Sequence, residues 1–250
     1  MNRPDSLLVI PCYRDGARLA LFLPSLCAQL AEQLPGVSVQ VVDDGSPVVE
    51  REQLTAFVEN LRRRFDLLQP LVSCPTNRGK GHAIRTGWAT AADVSWLAFV
   101  DADGAVPAKE VIALLGRARC AVHPALFIAD RVQGELAQRV WFRHLGSRVY
   151  NFWVRFWLHL DLPDTQCGLK VVPARFYRAQ VWHEEHYAFD LELLLQARAA
   201  DMPVIPQAIA WTEKPDSRLG LPAVFGLFVA AIRLRHHPGA RAARSGCARH

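Results

Sequence analysis

Residues 96–104 read WLAFVDADG. Five apolar residues in succession suit a strand buried on both faces, and strands of that kind belong to parallel sheets covered by helices. This strand opens directly into Asp101 and Asp103, two carboxylates at i and i+2 that can face the same side. Residues 39–46, VQVVDDGS, repeat the arrangement: an apolar run, then paired acids, glycine and serine.

Working outward, Leu7–Ile10 reads as a short apolar strand, and Gly16–Leu34 carries helical periodicity that Leu34-Pro35-Gly36 ends. Val37–Val42 is a second strand, Glu50–Phe65 a charged helix, Leu68–Ser73 a third strand and Gly81–Ala92 another helix. This β-α-β-α-β order predicts an α/β, Rossmann-like fold: a mostly parallel central sheet with helices on both faces. Ligands of such sheets bind outside the carboxyl ends of the strands. Asp15, Asp43–Ser46, Asn77–Gly81 and Asp101–Gly104 all fall at those ends.

The second half is less regular. Residues 140–160 are aromatic and basic with helical spacing, and 163–170 are polar and turn-rich. Phe189–Ala199 reads as a leucine-rich helix and Pro203–Trp211 as a strand. We therefore expect one main domain over residues 1–220, followed by a short apolar segment and basic tail over 221–250. A chain of 250 residues suffices for one sizeable core. With 51% hydrophobic and 21% charged residues it belongs with globular rather than disordered chains.

The net charge of +5 is unevenly spread. Arginines 131, 139, 143, 148 and 155 face a single acid, Glu135, and five more arginines follow from Arg233 with no acid among them. Such an excess attracts phosphates, whether of a nucleotide, a nucleic acid or a membrane surface. The six cysteines show no metal-finger spacing, and the N-terminus lacks a signal-peptide pattern, so a reducing cytoplasm is expected. The longest apolar run, residues 221–232, is too short to span a bilayer but long enough to lie on one.

The motifs suggest chemistry. Asp101 and Asp103 can share a hard cation, Mg²⁺ or Mn²⁺, that bridges a diphosphate. Asp43 and Asp44 suit a base or ribose hydroxyls, while Ser46 can cap a helix. Asn77–Gly81 lets backbone amides approach a phosphate, with Arg78 or Lys80 adding charge, although it is not a Walker A loop. Cys167 reads as a packed small residue, and His82 as a helix or loop residue. His183 and His186 have no assigned role.

Taken together, IPCYRDG (10–16), VVDDGS (41–46), NRGKGHAIRTG (77–87) and FVDADG (99–104) resemble the signature of the family 2 glycosyltransferases. DTQCGLK (164–170), FDLELL (189–194) and WTEKPDSRL (211–219) narrow the resemblance to the polyprenyl-phosphate sugar synthases. The resemblance implies a GT-A type fold and inverting transfer of a hexose from UDP-glucose or GDP-mannose to a polyprenyl phosphate. It places Asp15, with Pro11 and Tyr13, at the nucleotide, Asp43 or Asp44 at the base and ribose, and Lys80 in the lysine loop. It places the metal on Asp101 and Asp103, and Arg218 near the donor diphosphate. Asp15 stands where relatives usually carry glutamate, and Gly104 where they often carry a longer polar residue.

An acceptor phosphate is already anionic near neutral pH, its second pKa lying near about 6. It needs guiding cations more than a base, and Arg131, Arg143 and Arg148 are the candidates. A hydroxyl acceptor would need a base, for which Asp164 is the candidate; Gln166 in the same turn is a further candidate for substrate binding. The expected partners are a nucleotide sugar, a polyprenyl phosphate and the cytoplasmic membrane surface, to which the protein would attach peripherally. No nucleic-acid partner is expected. The rival readings are transfer to a hydroxyl of another amphiphile or polysaccharide, and a non-catalytic protein that binds a nucleotide or anionic lipid.

Overall fold

A computed structural model describes residues 4–91, 93–132, 157–158, 160, 162, 164–212 and 221–234, the side chains of 221–225 excepted. The elements run β1 (Ser6–Cys12), α1 (Gly16–Gln33), β2 (Val37–Asp43), α2 (Val48–Arg62), β3 (Val72–Ser73), α3 (Lys80–Trp88) and β4 (Trp96–Val100). After them come α4 (Ala108–Arg119), β5 (Leu126–Val132), β6 (Leu169–Pro173), α5 (Ala174–Arg178), α6 (Phe189–Ala199), β7 (Val204–Ala210) and α7 (Leu221–Leu234).

The strands form one sheet in the order β3-β2-β1-β4-β6-β5-β7. β1 runs parallel to β2 and β4, β2 to β3, and β5 to β7. Among the described strands only β6 is antiparallel to its neighbours, β4 and β5. The mostly parallel expectation holds, and β6 is the exception it omitted: Leu169–Pro173 starts inside the segment read as turns.

Period-two alternation divides the strands between two cores. Leu8, Ile10, Val39, Val41, Ala98 and Val100 face one core, closed by α1, α2 and α4. Leu7, Val9, Val42, Leu97 and Phe99 face the other, closed by α3, α6 and α7. In α1 the buried positions Leu19, Phe22, Leu23, Leu26, Cys27 and Leu30 recur at helical spacing, forming the stripe that meets the sheet. Leu227, Ala230, Ala231 and Leu234 seat α7 in its core, while Val229 and Ile232 remain about half exposed. No helix among the described residues is long and apolar enough to cross a membrane.

Two elements are shorter than their sequence pattern suggests. β3 shrinks to two residues because Pro70 has no N–H for a ladder, and Leu68 makes only an isolated bridge to Val39. α3 stops at Trp88, where the Thr90 hydroxyl hydrogen-bonds the Gly87 carbonyl at 2.8 Å.

The loops at the carboxyl edge are tied to one another. The Asp44 N–H donates to the Cys12 carbonyl (2.8 Å), the Cys74 N–H to the Asp43 carbonyl (2.7 Å) and the Arg14 N–H to Ser46 Oγ (2.8 Å). Gly45 sits at φ +75°, and a Cβ there would lie 2.3 Å from the Thr76 carbonyl carbon. Backbone conformation and close approach both require glycine at that turn. Gly45→Ala is therefore expected to destabilise the chain by about 2 kcal/mol or more. A urea titration should show the lower midpoint with an unchanged slope; an unshifted midpoint would contradict the close approach.

Candidate active site

The site begins where β4 ends. Asp101 receives a hydrogen bond from Lys80, Nζ to Oδ1 at 2.8 Å, and its own N–H donates to the Gly168 carbonyl at 3.0 Å. Lys80 also lies 3.4 Å from Asp190 Oδ2. Asp190 in turn pairs with Lys170, whose ammonium donates to the Cys167 carbonyl at 2.9 Å. The four side chains make a ladder of alternating charge, and both ammoniums lie over the Phe99 ring, 5.0 and 5.5 Å from its centroid.

Lys170 is fully buried and Asp190 nearly so. Burial alone would lower the Lys80 pKa, but Asp101 and Asp190 more than reverse this and hold it above the ordinary lysine range. Loss of water from the protein side of the half-exposed Asp101 carboxyl pushes it above its usual value, with Lys80 opposing.

These surroundings fit a hard divalent cation. Asp101 and Asp103 supply oxygen donors from one loop, and the Asp101 side chain is 40% exposed. A Cβ on Gly168 would lie 1.9 Å from Asp101 Oδ2, so glycine there keeps space open beside the carboxylate. Asp103 accepts the Ala105 N–H at 2.9 Å, which orients it within the turn.

The neighbouring loops carry the residues assigned to the nucleotide. Asp15 is held by both Nε and Nη2 of Arg18, at 2.6 and 2.7 Å. Asp43 is buried and accepts the Ser46 N–H at 3.2 Å. Asp44 accepts the N–H groups of Arg78 (3.2 Å) and Gly79 (2.6 Å), so it fixes the Asn77–Gly81 loop. Burial raises its carboxyl, against these two hydrogen bonds. Pro11 lies in β1, and Tyr13, just beyond it, presents a partly exposed ring.

Sequence reasoning gave Arg131 and Asp164 separate tasks, as phosphate ligand and base. They form one bidentate ion pair instead: Nε to Oδ2 at 2.5 Å and Nη2 to Oδ1 at 2.9 Å, with Trp211 5.6 Å from the guanidinium. Burial works against the Arg131 charge, but the Asp164 hydrogen bonds override it and raise the pKa. The Gln166 N–H also donates to Asp164 Oδ1, at 3.1 Å, while the Gln166 side-chain Nε2 is a buried donor with no partner among the described residues. Cys167 is a packed thiol, pushed by burial up to about 12. Arg143, Arg148 and Arg218 lie outside the described residues.

Three residues of this architecture escaped the sequence reading: Lys170, Asp190 and Glu192. Glu192 accepts the N–H groups of His183 and Glu184, both at 2.9 Å, and so anchors the segment that approaches the lysine loop. From that segment the Glu185 carbonyl accepts the His82 N–H, and the Glu185 carboxylate pairs with Arg78. The available signal was FDLELL itself, where two acids stand among residues that bury completely.

Comparison with known proteins identifies the family and the fold. The profile of Glycosyl transferase family 2 matches residues 7–179. The chain is 31% identical to dolichyl-phosphate beta-glucosyltransferase of Homo sapiens, over 93% of this chain and 76% of the relative. It is 30% identical to that of Mus musculus, over 93% and 76%. Among solved structures it resembles glucosyl-3-phosphoglycerate synthase of Mycobacterium tuberculosis bound to Mn²⁺, UDP-glucose and glycerol 3-phosphate. That match has TM-score 0.65 and 15% identity, covering 93% of this chain and 80% of the other. The mannosyltransferase PcManGT of Pyrobaculum calidifontis, bound to GDP-Man and Mn²⁺, matches with TM-score 0.60 and 16% identity, over 99% and 76%. These structural matches establish the GT-A fold.

Gly168→Ala is expected to move the Asp101 carboxylate, the movable end of a side chain, rather than the backbone. Turnover should fall by at least ~10-fold, as a misplacement of about an ångström does, with little change in thermal unfolding. Wild-type turnover in this variant would contradict the packing. Gln166→Met removes an unpaired buried donor, whose burial costs about 1–3 kcal/mol. We expect an unchanged or higher Tm together with a raised KM; a clear drop in Tm would mean that the amide already has a partner.

Proposed function

The chain belongs to glycosyl transferase family 2, and from that premise we propose that it transfers glucose from UDP-glucose to a polyprenyl phosphate, with inversion. The observation that carries this reading is the Arg131–Asp164 pair. The carboxylate best placed to deprotonate an acceptor hydroxyl is bound at both oxygens by a guanidinium. A nucleophile that arrives already ionised has no need of it. The relatives named as dolichyl-phosphate glucosyltransferases support both the sugar and the acceptor class.

In the proposed reaction an acceptor phosphate oxygen forms a bond to the anomeric carbon while the bond from that carbon to the donor diphosphate breaks. The electron pair leaves with UDP, and the configuration inverts. A divalent cation bound at Asp101 and Asp103 would supply charge neutralisation to the departing diphosphate. Lys80 adds a fixed positive charge beside it, kept ionised by Asp101 and Asp190. Asp164 spends two of the five Arg131 N–H groups, which leaves the others for the acceptor phosphate. Gln166 Nε2 offers a desolvated donor whose partner would be substrate.

Peripheral attachment to the cytoplasmic face of a membrane belongs to the same proposal. α7 carries the exposed apolar residues Val229 and Ile232, and the sequence beyond it adds Arg235, Arg241, Arg244 and Arg249. Apolar insertion with a basic flank is how an interfacial helix holds an anionic surface.

The test is a labelled-donor assay with purified protein, a short polyprenyl phosphate and Mn²⁺ or Mg²⁺. Label from UDP-glucose should enter the lipid, and Asp103→Ala should reduce the rate by at least ~10²-fold. Label entering only from GDP-mannose would overturn the sugar. Metal-dependent donor turnover with no lipid product would overturn the acceptor and favour a hydroxyl.

A further inference from the structure

Asp44, Cys74 and His82 meet at the carboxyl edge of the sheet, away from the Asp101–Asp103 turn in sequence and different from it in chemistry. Cys74 follows β3, His82 lies in the first turn of α3, and Asp44 follows β2. His82 Nδ1 lies 3.7 Å from Cys74 Sγ and 3.7 Å from Asp44 Oδ1. All three ligand atoms fall within 4.8 Å of one another. We propose that these residues bind a thiophilic divalent ion, Zn²⁺ in the first instance, as a second metal site.

The spacing matches the coordination. A tetrahedral ion about 2.3 Å from sulfur and about 2.0 Å from nitrogen sets those two atoms about 3.6 Å apart, and carboxylate oxygen and nitrogen about 3.4 Å apart. The two separations to His82 Nδ1 need only a few tenths of an ångström of closure, while sulfur and oxygen, within 4.8 Å of each other, must close to about 3.6 Å by side-chain rotation. Without an ion the ring nitrogen lies too far from Asp44 for a good hydrogen bond and makes only the long contact to Cys74. With one, three lone pairs converge on a single centre.

The ligands are also held in advance. The Asp44 carboxylate is oriented by the N–H groups of Arg78 and Gly79, the Cys74 thiol by the Thr86 hydroxyl, and the His82 backbone by Glu185. Outer partners of this kind fix ligand orientation in metal sites. Asp44 and Cys74 are almost wholly buried, and the His82 side chain is 18% exposed. The ion would clip three loops together, with its fourth position left to water or an incoming ligand. Sulfur and imidazole select against the Mg²⁺ or Mn²⁺ that suits Asp101 and Asp103. The proposal stands on this geometry, and an ion on Asp44 leaves the base or ribose of a nucleotide to Asp43.

The experiment is a Co²⁺ titration of the full chain under reducing, anaerobic conditions, read by absorbance, with Zn²⁺ as competitor. A near-ultraviolet sulfur-to-cobalt band should saturate at about one ion per chain and collapse when Zn²⁺ is added. Cys74→Ser should abolish the band. His82→Gln, at a partly exposed position, should keep the band but weaken Zn²⁺ affinity by ~10–100-fold or more. Circular dichroism of both variants confirms folding. Absence of the band in the wild type, or a band that survives in Cys74→Ser, would overturn the proposal.

Discussion

The placement of two lysine ammoniums inside the protein governs the rest of the site. Lys80 and Lys170 both lie over Phe99, and Asp190 touches each of them. An unpaired ammonium at such depth would cost several kcal/mol, so the ladder is stable only as a unit. That unit joins the start of α3, the end of β4, the first turn of α6 and the start of β6. Its exposed terminus is Asp101, the carboxylate expected to meet the metal. The charge on Lys80 and the position of Asp101 therefore follow from the buried residues Lys170, Asp190 and Phe99 behind them.

The antiparallel strand explains how the ladder is assembled. In the β4–β6 register Phe99 lies opposite Lys170, and Val100 opposite Leu169. Continuing one step brings Gly168 beside Asp101, where a side chain would strike the carboxylate. A parallel strand at this position would begin at the far edge and could not deliver the turn at 164–168 to the end of β4. One reversal of direction thus brings Asp164, Gln166 and Lys170 to the same edge as the Asp101–Asp103 turn, where Arg131 arrives at the end of β5.

Much of this was legible in the sequence. β4, α6 and the acid-bearing loops follow from unbroken apolar runs, helical spacing and turn residues, which are local signals. β6 was not legible, because LKVVP is short and adjoins turn residues, and its lysine argues against a core strand until Asp190 is known to sit beside it. The roles of Asp44 and Asp164 were read only in part for a related reason. Sequence identifies a carboxylate at the right edge but not the donor that has already claimed it: the backbone of Arg78 and Gly79 in one case, Arg131 in the other. Long-range pairing decides what an acid has left to offer a ligand, and nothing in local spacing encodes it.

The acids differ in what they can still do. Asp43, Asp44 and Asp164 spend part of their hydrogen-bonding capacity on the protein, which holds loops and a guanidinium in place and leaves only the remaining lone pairs for a ligand. Asp101 differs, because its partner Lys80 has a second carboxylate to fall back on. If a cation takes up Asp101, Lys80 keeps Asp190 as counter-charge and is not left unpaired in the core. A site built this way can exchange an internal cation for an external one at small cost, since every buried charge has a neighbour in both arrangements. Asp190 makes that exchange tolerable, and its value to the site lies in serving two lysines at once.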